Sequence, residues 1–123
     1  RPCHSLIPGG DLVSMQLSGL RAWTIQRISA IYMALFIIVV SIAVLVGGMP
    51  ASHADWRALL ASPFINLAVM AFVVALLLHA WVGARDVIID YVHPLAARFT
   101  VLALAAIFLI VCGLWAARVL NVL

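Results

Sequence analysis

Lysine and glutamate do not occur in these 123 residues, and charged side chains of any kind make up only 9% of them. A soluble domain is about a quarter charged and about half apolar. Here 67% of the residues are hydrophobic. A water-soluble globule of this size cannot hide that much apolar surface, so the composition excludes one. The charge that remains is arginine and aspartate, seven cations against four anions, for a net +3. These residues are dispersed, and no basic run offers a patch to nucleic acid. Cysteine is scarce as well. Cys3 and Cys112 lie in different regions, show no metal-type spacing and read as free thiols.

Long apolar runs are what the chain has in quantity. Three of them predict an all-α membrane protein with transmembrane helices over about 22–46, 59–91 and 95–122, each long enough for the ~20 residues a bilayer requires. The first run stops at Gly47-Gly48-Met49-Pro50, a helix-breaking turn. In the second, Ser62-Pro63 suits a first helical turn, where proline loses no hydrogen bond. His93-Pro94 separates the second from the third. Short loops make neighbouring spans antiparallel. Residues 1–16, with Pro2, Pro8, Gly9 and Gly10, read as a flexible tail, and 17–123 as one three-helix anchor domain. Two readings of residues 1–14 stand open: a natural start near Met15, or a loose tail. The first span is longer than the ~7–15 apolar residues of a signal peptide and contains Arg27 and Tyr32, which argues against cleavage near Ala51-Ser52-His53-Ala54.

The arginines orient the bundle. Arg1, Arg21, Arg27, Arg85 and Arg98 flank one side, and Arg57 and Arg118 the other. The imbalance places the N-terminus and the second loop in the cytoplasm, with the C-terminus on the opposite side. Trp56 and Trp115 suit the outer interface and Trp23 the inner one.

Few polar groups are expected at membrane depth, and each requires a reason. His79 lies well inside the second span, and an intramembrane ionisable ring is a functional hypothesis by default. Helical periodicity sets Ala75, His79, Gly83, Asp86 and Asp90 on one face. Small residues on both sides of His79 leave room for a flat macrocycle or for a close helix. Imidazole is the usual axial ligand of protein-bound haem. His4, His53 and His93 all lie outside the spans, so a haem with two axial histidines needs its second from another subunit or a second copy. The competing interpretation makes His79 a packing group hydrogen-bonded to a neighbouring helix. Arg27 sits a turn or two inside the first span. Its guanidinium can meet haem propionates, meet Asp86 or Asp90, or simply snorkel to the interface. Asp90-Tyr91 falls at the cytoplasmic end of the second span, where a phenol can donate to a quinone carbonyl or serve as an interfacial belt residue.

The run His79-Ala80-Trp81-Val82-Gly83, followed by Asp90-Tyr91-Val92 and Pro94, resembles the hydrophobic membrane-anchor subunit of bacterial succinate dehydrogenase. Arg21-Ala22-Trp23 and Gln26-Arg27-Ile28-Ser29-Ala30-Ile31-Tyr32 share the likeness, which covers about Leu17 to Leu123. Residues 1–14 depart from it. The resemblance implies half of a heterodimeric helical bundle in the bacterial inner membrane, with its C-terminus periplasmic. It pairs this chain with a cytochrome b subunit and docks iron-sulfur and flavoprotein subunits on the cytoplasmic face. It makes His79 one axial ligand of haem b and places Arg27 near the propionates. It makes Tyr91 the hydrogen-bond partner of ubiquinone, with Asp90 in support. Electrons then pass from succinate to ubiquinone, joining the tricarboxylic acid cycle to the respiratory chain. The chain is not catalytic alone but contributes to the quinone site. The alternatives are an anchor without cofactor, and the anchor of a fumarate reductase or another quinone-linked cytochrome b complex.

Overall fold

A computed structural model describes the backbone of residues 9–123 and the side chains of residues 17–123. Residues 1–8 of the segment read as a tail, Cys3 among them, lie outside the described residues, whereas the backbone of residues 9–16, read as tail, forms the start of the first helix. Four helices follow one another: α1 (Gly9–Gly47), α2 (His53–Ala61), α3 (Pro63–Tyr91) and α4 (Leu95–Val122). Three stretches, Leu17–Gly47, Pro63–Tyr91 and Leu95–Val122, are long and apolar enough to cross a membrane. The chain is an all-helical, multi-pass membrane protein. At 1.5 Å per residue, α3 with its 29 residues is about 43 Å long, against a hydrocarbon core of about 30 Å.

Local chemistry sets the helix ends. Gly48 takes the left-handed conformation, at φ 76, and its N–H reaches the Val44 carbonyl at 2.9 Å, which closes α1. Ser52 and Asp55 then form a reciprocal capping box. The Asp55 N–H donates to Ser52 Oγ at 3.2 Å, and the Ser52 N–H donates to Asp55 Oδ2 at 3.1 Å. The second apolar run is not one helix. Steric conflict with the ring of Pro63 pushes Ser62 out of helical geometry, to φ −60 and ψ 128, so α2 ends and α3 starts afresh with proline at its beginning. The short α2 buries none of its residues.

α3 is the central element. It packs on α1, α4 and α2, whereas α1 and α4 share no contact of comparable extent among the described residues. Tyr32 Oη donates to the Ala68 carbonyl at 2.9 Å, and Phe36 stacks on Phe72 at 4.6 Å, joining α1 to α3. Asn66 joins three helices. Its amide lies 3.1 Å from the Leu60 carbonyl of α2 and 3.2 Å from the Leu120 carbonyl of α4. Lower on the α3–α4 seam, a Cβ at Gly113 would come within 2.7 Å of Leu77 Cδ1, so glycine permits the close approach there. Among the described residues, only Ala75, Val82, Ile88 and Leu120 are buried apolar residues. The other described apolar side chains are half-buried between helices, as Phe36, Phe72 and Leu77 are, or exposed on the outer surface of the spans.

Candidate functional site

His79 is half-buried on α3 and faces α1. Its Nδ1 lies 3.4 Å from Ser29 Oγ and 3.4 Å from the Gln26 carbonyl. Ser29 is the most deeply set polar residue of the described side chains, only 5% exposed, and its hydroxyl donates to that same Gln26 carbonyl at 3.0 Å. The other ring nitrogen, Nε2, has no hydrogen-bond partner among the described residues and is not buried. The imidazole is therefore held on one edge by α1 and open on the other.

Gly83, one turn further along α3, lies in open space. A Cβ built there would meet no atom within 4 Å outside its own helical surroundings. That distinguishes it from Gly113. The small side chain at 83 is not required by packing within this chain, and it leaves clear volume on the helix beside His79. Both features suit a flat ligand bound through Nε2, and neither is needed for packing.

Arg27 lies between Gln26 and Ser29 in sequence, yet its guanidinium is exposed and turns back toward Trp23, 5.6 Å from the ring centroid. It makes no ion pair with Asp86 or Asp90, and both carboxylates are exposed and have no ion-pair partner among the described residues. Asp86 instead lines a cavity of ≈290 Å³ between α1 and α3, with Ser18, Trp23, Gln26 and Arg85. Tyr91 is the last residue of α3, 78% exposed, with no partner for its hydroxyl among the described residues. Twelve residues of helix put it about 18 Å along the axis from His79. The structure thus brings His79 near the backbone segment bearing Arg27, and keeps Asp90 and Tyr91 at a separate end.

Sequence reasoning missed two residues. Ser29 was legible only as a lone hydroxyl in an apolar run three positions after Gln26. Arg98 counted only toward topology, but its Nε donates to the Val92 carbonyl at 3.1 Å and its Nη2 to the Ile89 carbonyl at 3.2 Å. It caps the end of α3 that carries Asp90 and Tyr91. A cation there also complements the negative end of the helix dipole.

Three helices long and apolar enough to cross a bilayer, joined by short connections, place the chain in the class of multi-pass helical membrane proteins. The particular family follows from comparison. Residues 11–118 match the family described as succinate dehydrogenase/fumarate reductase transmembrane subunit, and the chain belongs to it. It is also similar to the succinate dehydrogenase hydrophobic membrane anchor subunit of Coxiella burnetii (strain RSA 493 / Nine Mile phase I). The two are 29% identical over 98 residues, which cover 80% of this chain and 84% of that protein.

Proposed function

We propose that this chain is the anchor subunit of a succinate dehydrogenase of the inner membrane, and that it supplies one axial ligand of haem b and part of the ubiquinone site. The carrying observation is His79, whose Nε2 is free and accessible while its Nδ1 is engaged. Metal-bound histidines have this form, with one nitrogen on the metal and the other donating to a protein acceptor. Packing alone accounts for the Nδ1 edge but gives no reason for Nε2 to lack a partner within this chain.

Haem b, when bound, supplies a one-electron site. His79 would hold it from this side, and a cytochrome b subunit would provide the second histidine. Arg27, which pairs with no carboxylate among the described residues, would offset the propionates. At the far end of α3, the Tyr91 hydroxyl would donate to a quinone carbonyl, with Asp90 beside it for proton supply. Iron-sulfur and flavoprotein subunits would dock at that cytoplasmic end. The arginine distribution supports the orientation, with the N-terminus cytoplasmic and the C-terminus periplasmic.

The test is a reduced-minus-oxidised spectrum of the purified complex, wild type against His79→Ala. A changed b-type spectrum or lowered haem occupancy is expected. An unaltered spectrum and reduction potential in the assembled variant would return His79 to a packing role. Preserved quinone reductase activity would not, since electrons can bypass the haem. The net direction of flux in cells distinguishes a succinate dehydrogenase from a fumarate reductase.

A further inference from the structure

We infer that Ser29 of α1 fixes the tautomer and orientation of His79, so that Nε2 is the only ring nitrogen able to take a metal. This rests on the haem reading above and names the residue that prepares the ligand.

The direction of the hydrogen bonds carries the inference. A serine hydroxyl has one proton. Ser29 Oγ spends it on the Gln26 carbonyl, its shorter contact at 3.0 Å. Toward His79 it can then present only lone pairs. The second group near Nδ1, at the same 3.4 Å, is the Gln26 carbonyl itself, which is an acceptor and nothing else. Nδ1 therefore sits between two acceptors. In a neutral imidazole one nitrogen carries the proton and the other a lone pair. Placing the lone pair on Nδ1 would set it against two others. Placing the proton there satisfies both neighbours and leaves Nε2 with its in-plane lone pair at the accessible edge.

Burial makes the device firm. Ser29 is 5% exposed, so water does not compete readily for its lone pairs. The Gln26 carbonyl belongs to the main chain of α1 and cannot swing away. Ser29 is thus a positioning residue that acts through His79. Acceptors on the distal nitrogen of a ligating histidine also raise its basicity. That favours the oxidised iron and lowers the haem potential.

The test uses the purified multi-subunit complex carrying Ser29→Ala, with Ser29→Thr as the conservative variant. Two readouts are independent of turnover: the haem reduction potential, and the ferric electron paramagnetic resonance g-values, which follow axial ligand orientation. Ser29→Ala is expected to raise the potential, shift the largest g-value and weaken haem retention roughly tenfold, the low end for loss of such a partner, because Gln26 remains. Ser29→Thr keeps the hydroxyl and should restore the wild-type values. Should Ser29→Ala not assemble, Ser29→Cys, with a weaker acceptor of similar size, is expected to move both readouts the same way by less. Wild-type potential and g-values in the alanine variant, or in the cysteine variant if only that assembles, would overturn the inference. His79→Ala in parallel keeps the two ideas separate. If it changes the haem signature and Ser29→Ala does not, the positioning role fails and the ligand stands. If neither changes it, the ligand assignment itself is wrong.

Discussion

Tyr91 ends α3 with its hydroxyl in the open, and its value as a donor depends on what arrives there. A quinone gains negative charge on its carbonyl oxygens as it is reduced, so a donor aimed at one of them stabilises the later states more than the first. Tyr91→Phe removes only that hydroxyl. If the phenol works like an oxyanion-hole donor, the loss is ~2.7–4 kcal/mol of barrier. Succinate:ubiquinone activity should fall by a factor of about a hundred or more, with haem content and dye-linked succinate oxidation close to normal. Wild-type quinone turnover and affinity in that variant would make Tyr91 a belt residue. Arg27 has no carboxylate partner among the described residues. Arg27→Leu should therefore lower the haem potential, because a lost cation disfavours the more negative, reduced state. An unchanged or higher potential points to topology alone. Gly83 gives a third test. Gly83→Ala adds a Cβ where no described atom outside the helix's own turn lies within 4 Å, so reduced haem occupancy in a normally assembled complex would show that the clear space is needed by the ligand.

At the scale of helices, Arg98 and Ser62 show what sequence could and could not tell. The three spans were legible because apolar length, Gly47-Gly48, Pro63 and Pro94 act locally, within a few residues of their own backbone. The separation of α2 from α3 was half legible. Ser62-Pro63 marked a first turn, but the apolar Leu59-Leu60-Ala61 before it made the run look continuous. His79, Arg27, Asp90 and Tyr91 stood out as polar residues in or beside apolar runs. Their partners did not, because the register of α1 against α3 is a property of packed surfaces and no single helix encodes it. Ser29 and the turned-back Arg27 belong to that register. The Arg98 contacts are a similar case, since both acceptors lie across a loop, at separations of six and nine residues. Arg98→Ala leaves the carbonyls of Ile89 and Val92 without these charged donors. Hydrogen bonds to charged groups contribute about 1.5–3 kcal/mol each when buried, and less here, where one is exposed. The expected result is faster amide exchange over the last turn of α3 and weaker quinone affinity, with the haem spectrum preserved.

At the scale of the whole molecule, few residues are buried. Four apolar residues and one serine make up the buried set among the described side chains, too few to hold three spans in one arrangement. Expressed without other subunits, the chain should give no bis-histidine haem signal and should be unstable in detergent. A stable homodimer with a full haem b spectrum would sink the shared-ligand reading. The central place of α3 also has a consequence in time. If the spans enter the bilayer in chain order, α1 arrives first, and Ser29 can at once bond within its own helix to Gln26. The Tyr32 hydroxyl cannot, because its acceptor is the Ala68 carbonyl of α3. It must wait in lipid with an open donor until α3 is inserted. Asn66 enters with the Leu60 carbonyl already nearby but meets Leu120 only after α4 has crossed. Each crossing thus leaves a polar group that the next one satisfies, and the biogenesis of the subunit acquires a built-in order: a chain halted before α4 has its histidine in place but not yet the second carbonyl that joins Asn66 to the last helix.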